Sequence, residues 1–414
     1  MKNTHYAILI NSKSEIKAFI KELLEDPNRY GLIELKDKNG QVFSDHQLNY
    51  FINKEERHGL KIITAHTEQS LISMSSGERK KVLLNYILKS NPEYLILINP
   101  YDNLDISNQE KLRKELIDIS KRLPLVQIIS RKEDVLPITT HFAKIKGTNL
   151  IHYINKKEFL DKTRYKKSDF SKYKIPSILN QSTDFLEELV RLKDVSVSFN
   201  DKPILYNINW NIKSGEFWQL IGPNGSGKTT LLSLITGDSE KGYGQDLFLF
   251  GRKKGSGESV WDIKKNIGYF TSSMMDKFRG YHTVESMLLS GLHDSIGLYV
   301  KPSETEKKLV FEWLELLNFN NKKDIYFHEL STLEKRVVMT TRAMIKNPSL
   351  LILDEPTVGL DDENALLFVS LVNKIASKST TTIIFVSHRK EKDLQAQKVF
   401  ELIPSKNGYT GKIH

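Results

Sequence analysis

The stretch GPNGSGKTT, Gly222 to Thr230, has the residue types and spacing to hold a polyphosphate. It follows the apolar run EFWQLI and opens into LLSLITGD, so a strand feeds the loop and a helix leaves it. Gly222, Gly225 and Gly227 let the backbone wrap with its amides inward, and the helix N-terminus adds positive potential. Pro223, Asn224, Ser226 and Thr230 complete the cradle, Lys228 reaches for the β- and γ-phosphates, and the Thr229 hydroxyl is placed to hold Mg²⁺. A second group closes the run LLILDEP. Its four apolar residues fit a buried strand, with Asp354 at the tip to ligate Mg²⁺ through water and Glu355 to orient or deprotonate an attacking water. A third strand-like run, IIFVS, ends at His388, where an imidazole can hydrogen-bond a γ-phosphate; a solvated loop histidine is the competing reading. This set of groups suits transfer of a phosphoryl group to water.

The elements that must position these groups alternate along the chain. Short β-rich runs such as YAILI, KIITA, YLILI and VQIIS stand between longer helical patterns, which predicts mainly parallel sheets flanked by helices. At 414 residues the chain is long enough for two domains. With no cysteine, disulfide frameworks and thiolate metal sites are excluded, and the 11 histidines show no metal-ligand spacing. The apolar run near the N-terminus is too short for a signal-peptide core, and the longest runs elsewhere fall far below the roughly 18 residues that cross a bilayer. A cytoplasmic protein with no transmembrane segment is expected.

The net charge of +10 is unevenly spread: residues 1–150 sum to +4, 151–180 to +5 and 181–414 to +1. Half of the excess thus lies in a short stretch rich in lysine, either a solvated linker or a contact for nucleic acid or acidic lipid headgroups.

Comparing the chain with itself reveals one long-range repeat. SMSSGERK at 73–80 lies over ELSTLEKR at 329–336, and PEYLILINPYDNLD at 92–105 lies over PSLLILDEPTVGLD at 348–361, both at an offset of 256. IISRKED at 128–134 matches FVSHRKE at 385–391 at offset 257, and LINSKSEIKAFIKELL at 9–24 matches LIGPNGSGKTTLLSLI at 220–235 at offset 211. The first half is therefore the shorter copy. In it the loop glycines are replaced by Asn11, Ser14 and Ile16, the strand-tip acids by Ile98 and Asn99, and the histidine by Arg131. Lys17 alone remains at the loop position, where it reads as a helix-surface lysine.

These residues carry a resemblance. Residues 186 to 404 resemble an ABC-type ATPase cassette, and QDLFLFGRKKGSGESVWDIKKNIGYFTSS with LSGLHDSIGLY is similar to soluble twin-cassette ATPases of the molybdenum-transport or photorepair type. The resemblance implies an α/β fold of two ABC-type nucleotide-binding domains with the P-loop NTPase fold: a truncated, degenerate cassette over 1–150, a basic linker over 151–185 and an intact cassette over 186–414. It implies ATP and Mg²⁺ as ligands and Phe199 as a ring that stacks on adenine, with a strand-core residue as the competing reading. Because such cassettes pair head to tail, each nucleotide lies between one phosphate loop and the other domain's signature loop. The second half's signature reads Ser331-Thr332-Leu333-Glu334, and the branched side chain of Leu333 should obstruct phosphate. The first half keeps Ser75 and Gly77, and Asp105 beyond its strand, so it can complete the second half's site. Ser272 stands where transporters carry a glutamine, which weakens classical coupling to a transporter. The expectation is an ATP hydrolase with one competent composite site, formed within the chain or between chains, that drives a protein partner. Two other readings stand beside it: a nucleic-acid- or ribosome-associated regulator, and the ATP-binding subunit of a molybdate-type importer with peripheral membrane attachment.

Overall fold

The structure is a computed structural model that describes residues 3–11, 14–67, 69–163, 174–176, 186–278, 280–388 and 391–414. It divides into two units: residues up to 166 together with the segment Val358–Glu363, and the remainder.

The first unit is built on a six-stranded sheet in the order β2-β3-β4-β1-β5-β6. Its strands are β1 (Tyr6–Leu9), β2 (Gly40–Phe43), β3 (Tyr94–Ile98), β4 (Leu125–Ile129), β5 (His141–Lys146) and β6 (Asn149–Tyr153). All neighbours run parallel except β5 and β6. The helices are α1 (Ile16–Glu25), α2 (Asp45–His58), α3 (Ser76–Lys89), α4 (Ile106–Ser120) and α5 (Lys156–Lys162). Strand alternation sorts the apolar residues onto two faces. Leu95, Leu97 and Leu125 pack with Leu83 and Leu84 of α3 and Leu112 and Leu116 of α4. Tyr94, Ile96, Val126 and Ile128 face the other way, onto Phe19 and Leu23 of α1 and onto Leu32 and Leu35. Covering both faces is what lets YLILI run apolar throughout and leaves Gln127 as the one polar residue of β4, its buried amide donating to Asp134 O and accepting from the Leu136 N–H.

The second unit carries a ten-stranded sheet in the order β11-β10-β7-β8-β16-β15-β9-β14-β13-β12. Its strands are β7 (Glu188–Phe199), β8 (Lys202–Lys213), β9 (Phe217–Ile221), β10 (Asp246–Leu249), β11 (Arg252–Lys253), β12 (Ile267–Thr271), β13 (Leu350–Asp354), β14 (Thr382–Ser387), β15 (Lys398–Ser405) and β16 (Gly408–Ile413). Its helices are α6 (Lys228–Ile235), α7 (Val260–Lys264), α8 (Val284–Leu292), α9 (Glu304–Leu317), α10 (Thr332–Met344) and α11 (Asp362–Lys378). β9, β12, β13 and β14 are parallel, so the loops that leave their C-terminal ends gather at one edge. Under them Trp218, Leu220, Ile352, Ile384 and Val386 pack on Leu231, Leu234 and Ile235 of α6. Trp210 stacks on Phe400 with ring centroids 4.2 Å apart, joining the antiparallel strands to the parallel ones.

Where the second unit has α8 and α9 between β12 and α10, the first has the single helix α2 between β2 and α3. The span expected as a linker starts otherwise than expected. Residues up to Tyr153 finish β6, and α5 follows, with Phe159 fully buried against Phe142 and Tyr153 at centroid distances of 5.4 and 5.6 Å. One buried ring is enough to dock a helix whose other positions are mostly charged. Among its basic residues Lys162 pairs with Glu158 on the surface, while Arg164, Lys166, Lys167 and Lys172 lie outside the described residues.

Candidate functional site

The loop Gly222–Gly227 leaves β9 and enters α6, as its sequence demands. Gly225 and Gly227 lie at φ of 75° and 91°, a region that side chains avoid, and a Cβ on Gly227 would stand 2.7 Å from Leu205. A Cβ on Gly222 would meet the Ser226 hydroxyl at 2.8 Å, closing the turn from within. Ser226 is fully buried, and its hydroxyl finds no hydrogen-bond partner among the described residues. Lys228, itself buried, folds back over the loop and donates to the carbonyls of Gly222 and Pro223 at 2.7 and 2.9 Å. This is a cradle of amides with one ammonium across its mouth, and the residues present fit a polyphosphate. Thr229 is exposed just beyond, at the first turn of α6.

Asp354 and Glu355 stand at the end of β13. Burial pushes the Asp354 carboxyl up to about 6, the neighbouring Glu355 charge pushes the same way, and Tyr269 of β12 counters by donating to its Oδ2 at 3.4 Å. Burial would raise Glu355 too, but the contact of its Oε1 with His388 Nε2, helped by the charge of Lys228, holds it below the ordinary carboxylate range. The His388 Nδ1 has no hydrogen-bond partner among the described residues. Glu355 lies at φ 52°, its N–H donates to Val386 O at 3.0 Å, and Ser272 holds its carbonyl at 3.1 Å. Two adjacent carboxylates, Asp354 with its affinity for a proton raised by burial and Glu355 held firmly ionised, with a threonine hydroxyl and an ammonium nearby, fit a magnesium ion on a phosphate. Tyr269 and the present role of Ser272 were not foreseen from sequence; a tyrosine in IGYFTSS two residues before the strand end was the available sign.

Phe199 ends β7 with 47 % of its surface exposed and Lys241 Nζ 5.6 Å from its ring centre. It is no core residue: Lys241 stands over one face of the ring, and about half of its surface is exposed.

Among its described residues the first unit shows none of this cradle. Ser14 Oγ and Asn11 bond to each other, Glu15 precedes α1 without capping it, and Lys17 is exposed. Asn99 nevertheless repeats the Glu355 backbone, with φ 40° and its N–H donating to Ile128 O at 2.9 Å. Both signature loops start their helices in the same way: Ser75 accepts from the Glu78 N–H while Glu78 reaches back to the Ser75 N–H, and Ser331 and Glu334 do the same on α10. They differ at the third residue. Gly77 is covered by the Asn108 side chain, so close that a Cβ would lie 2.9 Å from Asn108 Cγ, whereas Leu333 is half-buried and Glu334 is engaged by Lys322. Asp105 is buried and caps α4 through the Asn108 N–H at 2.8 Å, so its carboxylate serves its own helix. The base of each helix is tied to the loop beyond the acidic strand by one cation: Lys80 to Pro100 O at 3.0 Å and Arg336 to Pro356 O at 2.7 Å.

A glycine cradle between a parallel strand and a helix, a histidine at the end of the adjacent strand and an acidic tip on the strand beyond it define an ABC-type P-loop nucleotide-binding fold. The family profile described as ABC transporter matches residues 205–358. The ABC transporter ATP-binding protein ModF of Escherichia coli (strain K12) is 38 % identical over 339 residues, covering 80 % of this chain and 69 % of its own length. An uncharacterized ABC transporter ATP-binding protein of Schizosaccharomyces pombe is 28 % identical, covering 77 % of this chain; the chain spans 66 % of that relative. Among solved structures, cbiO1 from Clostridium perfringens, part of the ABC transporter complex cbiONQ, aligns at TM-score 0.47 and 24 % identity over 52 % of this chain and 85 % of its own. The chain belongs to the family of ABC transporter ATP-binding proteins. No helix among the described residues is long and apolar enough to cross a membrane.

Proposed function

We propose that the chain hydrolyses Mg-ATP at one composite site, made of the second unit's cradle and the signature loop of a first unit, and passes the resulting opening and closing to a protein partner. Gly222 to Thr230 hold the phosphates, and Phe199 stacks on the base. Thr229 and Asp354 hold Mg²⁺, which when bound neutralises phosphate charge. Glu355, kept ionised by His388, orients the water and takes its proton as the new P–O bond forms and the bridging P–O bond breaks. Lys228 and the loop amides stabilise the charge on the departing phosphate. Ser75, Gly77 and the start of α3 receive the γ-phosphate from the other side.

One observation carries this reading: two helices begin with the same capping box, yet only α3 has a glycine where phosphate must approach, and it belongs to the unit that has lost its own cradle. The test is steady-state ATPase activity of the full chain. Gly77→Asp should lower kcat about 100-fold or more, and Lys17→Ala should leave it near normal. Gly77→Asp is also measured in the Asn108→Ala background, which makes room for its side chain and separates lost contact from lost folding. Equal losses at Gly77 and Lys17 would refute the division of labour.

A further inference from the structure

The switch position of the first unit has lost its histidine, but it is not idle. Within that unit the segment Val358–Glu363, which the chain enters three residues after Glu355, meets Ser130, Arg131 and Lys132 in a ladder of bonds. Arg131 Nε donates to Leu360 O at 2.8 Å, the Lys132 N–H to Asp362 Oδ2 at 3.0 Å, and the Asp362 N–H to Ser130 O at 3.2 Å. Asn99, which stands where the other unit has its glutamate, accepts from the Ser130 N–H at 2.8 Å and so fixes the loop that carries Arg131. On the far side Lys132 Nζ donates to Thr163 O at 2.8 Å. Leu360 and Asp361 are buried, and so is Ser130.

We propose that these replaced residues form a permanent clamp on Val358–Glu363, and that Arg131 is a positioning residue for Glu355. A histidine poised on a γ-phosphate must make and break its contact with every turnover. Arginine is longer and always charged, and here it reaches a backbone carbonyl directly. Every bond in the ladder joins protein to protein, so its strength does not depend on nucleotide. A hydrogen bond from a charged donor into a buried carbonyl is among the stronger ones available. With its downstream end held, the strand-tip turn of Glu355, already bonded to Val386 O and Ser272 on its upstream side, is restrained at both ends. The first unit's lost chemistry has thus become a fixed anchor for the working site.

The idea rests on Glu355 being the base, but the clamp itself can be observed without turnover. Hydrogen exchange is followed on a peptide spanning 358–363 in the full chain, free of nucleotide and Mg²⁺. Protection should already be present in the unmodified protein, and Arg131→Ala should speed exchange about tenfold. The same variant should lower kcat with KM for ATP unchanged, and Arg131→Lys, which keeps charge and a donor, should recover part of both. Exchange that is equally fast in both proteins, or protection that arises only when ATP is added, would overturn the clamp. If instead Gly77→Asp leaves turnover intact while protection stands, the composite-site reading fails and the clamp does not.

Discussion

Replacing Asp354 with asparagine should make the nucleotide-free protein more stable at the cost of its activity. The carboxyl is raised from 3.8 to about 6, chiefly by burial and then by the adjacent Glu355 charge. A shift of about 2 units at 1.36 kcal/mol each means that keeping Asp354 ionised at neutral pH costs the folded state about 3 kcal/mol. The folded form binds its proton more tightly than the unfolded form, so the penalty is full above about pH 6. It declines as pH falls through that range and is nearly gone at about pH 4, close to the unfolded value of 3.8, vanishing only below it where both forms are protonated. Relaxation around the charge takes up part of it, and Asp354→Asn should gain about 1–3 kcal/mol at pH 8. For a unit of this size that is roughly 2–12 °C in Tm. The assay is thermal melting with chelator present, on both proteins, from pH 8 down to pH 4. An equal or lower Tm for Asp354→Asn at pH 8, or a gain that persists undiminished at pH 4, would show that the acidic pair is not held under electrostatic strain.

His388→Ala should free the Glu355 carboxylate from the contact that keeps its pKa low, so the acid limb of the kcat profile should move to higher pH; an unmoved limb would separate His388 from the base. Lys80 is buried with its ammonium on Pro100 O, on Asp102 O at 2.8 Å and on Asp45 at 3.0 Å, so Lys80→Met leaves these acceptors unmatched. It should destabilise the chain by about 3 kcal/mol in denaturant melts. No loss of stability would mean that the loop beyond β3 rearranges freely.

What could be read in the sequence is what leaves a backbone signature. Gly222, Gly225 and Gly227 stand where no other residue fits, Asp354 and Glu355 interrupt an apolar run at its tip, and the repeat fixed the positions of Ser75 and Gly77. The parallel sheets flanked by helices also followed from apolar runs, since strands covered on both faces have little polar alternation. The less legible features depend on one side chain meeting a distant one. β6 is mostly exposed, so NLIHY carries no periodic signal, and α5 docks through Phe159 alone. Phe199 had the composition of a strand residue, yet it sits at the open end of β7. Asp105 invited a functional reading by its place in the repeat, and its capping of α4 through Asn108 was not part of that reading. The ladder from Asn99 to Asp362 joins residues more than 200 positions apart, beyond the reach of any local pattern.

The turn shared by Asn99 and Glu355 has a further consequence. Asparagine tolerates a left-handed backbone more readily than glutamate does, so the copy whose strand tip carries Asn99 is relieved of conformational stress there. The copy that kept its acid still bears that stress and holds a negative charge out of water besides. An acidic strand tip is thus a standing mechanical load, carried by one half of the repeat and absent from the other.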